Sequence, residues 1–338
     1  MASFRQTVGQ ATGATGATGA AGVTGATGST AQIAMKSPAL RVCDHLFFLR
    51  PLLHIPVWTI SIFLNQRGGY KLFGWDFICI LGALSSAVAG AYVINQIFDC
   101  KSDRVNAKLG FFEPPISFSA RRAWIVYAVV NLGALVIGAS VRASGAWTII
   151  AVILLGIVYS APPLRLKDRP VLDALTNALA YSVVIHLTIL ELTESARPWF
   201  WEVDVALFLA VFGIATLTTI PDIRGDSQVG KRSIAAVFGP ALAGWVGALC
   251  FALSCYLGVR CGWPALWVSG AVALAPALIS LRSADVRWTL IAIKAPILSL
   301  SGFAVWAEPV YGLFLIALVI VTRLYYKRRF GLVYPRIA

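Results

Sequence analysis

Ten long apolar segments follow one another along this chain, and that succession limits its possible folds more than any other feature. They are Leu46–Leu64, Phe73–Ile97, Ala123–Val141, Trp147–Tyr159, Val171–Leu190, Val205–Ile220, Ile234–Val259, Ala265–Leu281, Trp288–Trp306 and Val310–Leu324. About 20 apolar residues in a helix cross the roughly 30 Å hydrocarbon layer of a bilayer, and the shorter segments cross with help from polar flanks. Unpaired backbone amides are too costly in lipid for anything but helices or a closed barrel. The two-residue alternation of barrel strands is missing. The expectation is an all-α, polytopic membrane helical bundle of nine to ten transmembrane helices. Trp288–Trp306 contains Lys294 and Pro296, and is either re-entrant or an added helix. Composition agrees, since only 13% of the 338 residues are charged, against about 25% in soluble domains.

The first 37 residues differ from the rest. Gly13, Gly16, Gly19, Gly22, Gly25 and Gly28 recur at every third position among Ala, Thr and Val, without proline. That is too little to sustain a collagen helix, and the segment has no apolar stretch of the kind a secretory signal carries. Residues 1–37 are expected to form a flexible Gly/Ala/Thr-rich tail, and residues 38–338 the membrane domain.

The net charge of +13 comes without a basic stripe interleaved with exposed aromatics, so no nucleic-acid partner is expected. Membrane orientation explains it better. With an even number of spans, 22 of the 28 lysines and arginines fall on the side of both termini and five on the other, Lys294 lying inside a span. Basic residues hold loops on the cytoplasmic side, which puts both termini in the cytoplasm. The six cysteines form no CxxC pair and the three histidines are scattered, so no zinc site is expected.

Acidic residues stand out against this background. In NQIFDCKSD, Asn95, Asp99 and Asp103 are spaced i, i+4, i+8 at the end of an apolar segment, which aligns them on one helix stripe. An aspartate at the bilayer centre costs roughly 2.5–3.5 kcal/mol, so the stripe faces a wet cavity or the cytoplasmic surface. Asp222 and Asp226, in PDIRGD, repeat the spacing on the same side. Hard carboxylate and amide oxygens suit Mg²⁺, which takes one or two protein carboxylates and completes its shell with phosphate and water. Two ions between the acid groups would clamp a diphosphate. Arg50, Arg104, Arg165, Lys167, Lys231 and Arg232 fall on the same side and can neutralise phosphate oxygens.

These residues carry a resemblance. NQIFDCKSD resembles the NxxxDxxxD signature of the UbiA superfamily of intramembrane prenyltransferases, and DIRGD resembles its second DxxxD. YSAPPLRLKDRP, with Tyr159, Arg165 and Lys167, is similar to the loop between them, and Arg50-Pro51 to the family's opening arginine-proline. The resemblance implies a bundle around a central cavity with a cytoplasmic cap. It implies Mg²⁺-dependent transfer of a prenyl group from a polyprenyl diphosphate to a hydrophobic acceptor, aromatic or lipid. Asn95, Asp99, Asp103, Asp222 and Asp226 would then serve the metal. Arg50, Arg104, Arg165, Lys167 and Lys231 would grip the diphosphate, and Tyr159 would approach the allylic end. Asp99, Asp222, Tyr159 and Lys167 form the expected catalytic group. The sequence departs from the family where Glu113-Pro114 stands for an arginine-proline, so acceptor contacts are not carried over. Phe98, Tyr159 and Tyr181 are the aromatic candidates for facing a carbocation. Two rivals are a membrane terpene cyclase using the same acids and a cation-coupled transporter, although transporters keep their acids near the bilayer midplane.

Overall fold

Each apolar segment becomes helix. The structure is a computed structural model and describes residues 38–68, 74–105, 111–112, 114, 116–193, 201–228, 230–283 and 285–335. The expected tail at 1–37 lies outside them. The described residues contain helices and turns and no strand. In chain order the helices are α1 (Pro38–Phe48), α2 (Ile55–Gly68), α3 (Trp75–Val105), α4 (Ala120–Val141), α5 (Gly145–Ser160), α6 (Leu172–Leu179), α7 (Ile185–Thr193), α8 (Trp201–Thr218), α9 (Ile223–Gln228), α10 (Ile234–Phe238), α11 (Pro240–Arg260), α12 (Pro264–Ser283), α13 (Val286–Ala307) and α14 (Pro309–Phe330). Among the described residues, nine spans are long and apolar enough to cross a bilayer, with α1–α2 and α6–α7 each forming one; the shorter α5 is a tenth apolar helix.

Three expectations about the segments are resolved. Ile234–Val259 is not one span: it breaks at Gly239, whose φ is 87°, and α11 restarts on Pro240. Proline has no amide hydrogen and cannot continue a helix, whereas its fixed φ suits a first turn. Val171–Leu190 is interrupted by a π turn at Ala180–Val184, a local widening often found beside functional sites. Trp288–Trp306 takes the added-helix form, as part of a helix long and apolar enough to cross a bilayer. It lies within the continuous α13, with Pro296 inside.

Lipid provides no hydrophobic drive for helix association, so close packing must hold the bundle together. A Cβ on Gly258 would lie 2.5 Å from the backbone nitrogen of Trp267, and one on Gly270 would lie 2.9 Å from that of Cys255. Glycine at these two positions lets α11 and α12 approach backbone to backbone. At the other end of the chain, α14 is fastened to α1. Arg329 Nε and Nη2 donate to Asp44 at 3.0 and 2.8 Å, and Tyr325 OH donates to Asp44 Oδ1 at 2.8 Å. Phe47 stacks on Tyr325 with ring centroids 3.8 Å apart.

Candidate active site

The acid stripe on α3 meets a cluster of cations. Lys167 lies on a 3₁₀ turn (Leu166–Asp168) after α5. Its Nζ is 2.6 Å from Asp99 Oδ1 and donates to Asn95 Oδ1 at 2.9 Å. Arg165 Nη2 is 3.5 Å from Asp99, while its Nε pairs with Asp168 at 2.7 Å. One turn further along α3, Asp103 Oδ2 is 3.8 Å from Arg50 Nη2. Arg50 and Arg165 both adopt left-handed backbone conformations, φ 54° and 39°, immediately before 3₁₀ turns. That region costs a non-glycine residue on the order of 1–3 kcal/mol, and in both cases it turns the chain where the guanidinium meets the acids. Arg104 is also on α3, and its side chain lies outside the described ones.

The second acid group comes from the turn after α8. Asp222 is half-buried there, and Asp226 on α9 is buried. Lys231 Nζ is 3.5 Å from Asp226 Oδ2, and the Lys231 amide donates to the Asp226 carbonyl at 2.9 Å. The Arg232 amide donates to the Asp168 carbonyl at 3.2 Å, tying this loop to the Lys167 turn. Helix α9 packs on α3, so the two acid groups converge at one end of the bundle. Electrostatics report the same convergence. Burial alone would lower Lys231's pKa, but Asp173, Asp226, Asp99 and Asp168 together raise it. Lys167 goes the other way, because burial outweighs Asp99 and the net shift is down.

Below this charged mouth lie two apolar chambers. The smaller, about 160 Å³, is lined by Asn95 and by Val88, Val152, Leu155 and Val184, among others. The larger, about 420 Å³, carries Asp173 and Lys231 at its polar end, and Ile60, Leu207, Ile293 and Leu300 among its apolar wall. Tyr159, Asn177 and Tyr181 line both. Of the aromatic candidates, Tyr159 and Tyr181 therefore face chamber space. Phe98 packs edge-on against Trp124 instead.

Tyr159 OH donates to Asp173 Oδ1 at 2.7 Å, and Asn177 Nδ2 donates to the same oxygen at 3.1 Å. Tyr181 OH shares a 2.9 Å hydrogen bond with Tyr92, which also donates to the Leu53 carbonyl at 2.7 Å. Sequence reasoning missed Asp168, Asp173, Asn177 and Tyr92. A signal for two of them was present, since Asp173 and Asn177 repeat the i, i+4 acid–amide pairing of Asn95 and Asp99 inside an apolar segment.

Among the described residues, no three His, Cys, Asp or Glu side chains are grouped closely enough to hold an ion alone. A magnesium ion that completes its shell with phosphate and water needs fewer. Among the described residues, buried Asp226 Oδ2 accepts no hydrogen bond, and with the oxygens of Asn95, Asp99 and Asp222 it is a donor set of the hard type Mg²⁺ prefers. The residues present fit such an ion.

Fold and site together define a polytopic membrane protein with a charged mouth of paired acids and cations above apolar chambers. The chain belongs to the UbiA prenyltransferase family, whose sequence profile matches residues 53–289. Among curated proteins, it is 28% identical over 238 residues to a C(50) beta-cyclic carotenoids biosynthesis protein of Dietzia sp., covering 64% of this chain and 52% of the relative. It is 33% identical over 155 residues to a lycopene elongase/hydratase of Halobacterium salinarum, covering 44% and 52%. With a homogentisate solanesyltransferase of Arabidopsis thaliana it shares 28% over 192 residues, covering 52% and 49%. The chain thus spans about half the length of the curated relatives it matches. In structure it resembles a UbiA homolog from Archaeoglobus fulgidus bound to GPP and Mg²⁺, at a TM-score of 0.62 and 21% identity, covering 81% of this chain and 99% of that one. A UbiA homolog from Aeropyrum pernix has the same fold at a TM-score of 0.59 and 20% identity, covering 74% and 96%.

Proposed function

We propose that the protein transfers a prenyl group from a prenyl diphosphate to a hydrocarbon acceptor within the membrane, with Mg²⁺ as cofactor. The observation that carries this reading is Lys167, which bridges Asn95 and Asp99 directly above chambers walled with aliphatic side chains. Asn95, Asp99, Asp222 and Asp226 would hold the metal, with Asp103 supporting it. Lys167, Lys231, Arg50 and Arg165 would bind the diphosphate, which is then free to displace them from the carboxylates they now pair with. Bound magnesium supplies charge neutralisation for the leaving diphosphate. The cations do the same from the protein side, stabilising charge that develops as the allylic C–O bond breaks. The chamber walls hold the isoprenoid and exclude water from the carbocation. Tyr159 and Tyr181 stand where the chambers meet and can face it, at roughly 0.5–2 kcal/mol each.

The larger chamber favours a hydrocarbon acceptor. Its hydroxyls are already committed within the protein. Thr218 donates to the Ala215 carbonyl at 2.6 Å, Ser254 to Ala206 at 2.8 Å and Ser269 to Ala265 at 2.6 Å. Thr59 shares hydrogen bonds with Ser301 and Tyr311 at 3.0 and 2.8 Å. Away from Asp173 and Lys231, a polar ring would meet hydroxyls whose hydrogens are already donated, so its own acceptors would go unpaired at about 1–3 kcal/mol per group. Two relatives are named for carotenoid or lycopene chemistry, which agrees. The active mouth and both termini would face the cytoplasm.

Purified protein in lipid nanodiscs, given Mg²⁺ and dimethylallyl diphosphate, should prenylate lycopene in preference to homogentisate. Asp99→Ala and Asp222→Ala should abolish transfer while leaving membrane insertion intact. Wild-type turnover in either variant would remove the metal-binding assignment, and a preference for homogentisate would remove the hydrocarbon acceptor.

A further inference from the structure

The transfer reaction needs a group that the metal motifs and cations do not supply. When an allylic carbon adds to the π electrons of an alkene, the C–O bond breaks and its electron pair leaves on diphosphate. The new C–C bond leaves a positive charge on the acceptor. Neutral product forms only when a proton is lost, either from a carbon next to that charge or from a water that captures it. Some base must accept this proton inside the apolar chamber.

We infer that Asp173 is that base. It is buried on the first turn of α6, and among the described residues it is the one carboxylate in the wall of the larger chamber. The smaller chamber is lined by Asn95 and, among the described residues, has no carboxylate in its wall. With the donor chain in the smaller chamber and the acceptor in the larger, the acceptor-derived cation forms beside Asp173. The hydrogen bonds from Tyr159 and Asn177 both go to Oδ1. Among the described residues Oδ2 accepts none, so it is the oxygen available to take a proton. Tyr159 and Asn177 line both chambers, so they orient the carboxylate where the two chains would meet. No metal motif includes Asp173. The charged and titratable groups around it are Lys231, Asp226, Asp168 and Tyr159. Lys231 holds a raised pKa and remains a cation beside Asp173. The proton taken by Oδ2 passes to water at the mouth when the products leave.

This inference rests on the proposed transfer reaction, and the test separates the two. Wild type, Asp173→Asn and Asp173→Glu are assayed with Mg²⁺, dimethylallyl diphosphate and lycopene. Diphosphate release, coupled product and donor affinity are measured separately. General base catalysis contributes about 10²–10⁴-fold, so Asp173→Asn should lose at least about a hundredfold of coupled product. Its donor affinity should stay within about twofold of wild type, and diphosphate release should exceed coupling. Wild-type coupling should fall on the acid side as the carboxylate protonates, a limb the residual Asp173→Asn activity lacks and Asp173→Glu partly restores. Near-wild-type coupling by Asp173→Asn, or loss of donor affinity in parallel with coupling, would overturn the assignment. Absence of coupling by wild type itself would overturn the transfer reading and this inference with it.

Discussion

Lys167 and Lys231 occupy one mouth, yet their surroundings push them in opposite directions. Burial lowers the pKa of Lys167, whereas four carboxylates raise that of Lys231. A lowered pKa means the ammonium loses its proton at lower pH than an ordinary lysine. Donor binding should therefore weaken first through Lys167 as pH rises, while Lys231 keeps its charge. Titrating donor affinity from neutral to alkaline pH checks this, and Lys167→Arg should move the decline upward because a guanidinium stays charged. Lys167→Ala should weaken donor affinity by about 1.5–3 kcal/mol, the worth of a hydrogen bond to a charged group, or roughly 10- to 150-fold. An unchanged affinity would reduce Lys167 to a topology-setting charge. The residues of the mouth were legible in the sequence because ionisable side chains are conspicuous in apolar surroundings. Asp173 and Asn177 were not singled out, since both are short side chains in a segment whose average still reads as a span. Their i, i+4 spacing was a weak signal on its own, and their partners in the fold, Tyr159 and the chamber wall, are what mark them out.

At the scale of elements, apolar runs located the membrane-length helices, but where a run breaks depended on local chemistry. Gly239-Pro240 splits one expected span and the π turn at Ala180–Val184 interrupts another, because hydropathy averages over such interruptions. Helix contacts were not legible either, since the glycines that permit them are scattered through ordinary apolar sequence. Gly258→Ala puts a methyl against backbone at Trp267, which cannot move aside as a side chain can. Overpacking of this kind costs about 1–3 kcal/mol. The variant should unfold at lower temperature in detergent, whereas Gly302→Ala, with open space around its Cβ, should not. The clamp between α1 and α14 offers a second test. Asp44 and Arg329 have side-chain exposures of 3% and 5%, and removing one partner of a buried pair costs about 3–5 kcal/mol because the other charge is left stranded. Asp44→Ala should therefore expose α14 to proteolysis before the rest of the bundle, and Arg329→Met should do the same.

For the whole molecule, the question is how many times the chain crosses, because parity decides where α14 ends. Nine spans meet the length and hydropathy of a full crossing, and α5 has only 16 residues. At 1.5 Å per residue, α5 is about 24 Å long, short of the roughly 30 Å hydrocarbon layer. Local thinning of the bilayer accommodates a shortfall of that size at a modest cost. Counting α5 as a crossing brings the Arg50 turn, the end of α3, the Lys167 turn, the α9 loop and the end of α14 to one face. The ion pairs Arg50–Asp103, Lys167–Asp99 and Arg329–Asp44 require these segments to lie together. Leaving α5 out would place Tyr159 and Lys167 on the opposite face from Asp99, which a 2.6 Å contact forbids. On this reading we propose ten crossings, and the excess of lysine and arginine on that face would make it the cytoplasmic one. In a variant with all six cysteines replaced, a cysteine introduced at Ser144 should react with an impermeant thiol reagent from outside intact cells, and one at Leu164 only after the membrane is opened. Labelling of both from the same side would mean that α5 does not cross, and the pairing of Lys167 with Asp99 would have to be abandoned as well.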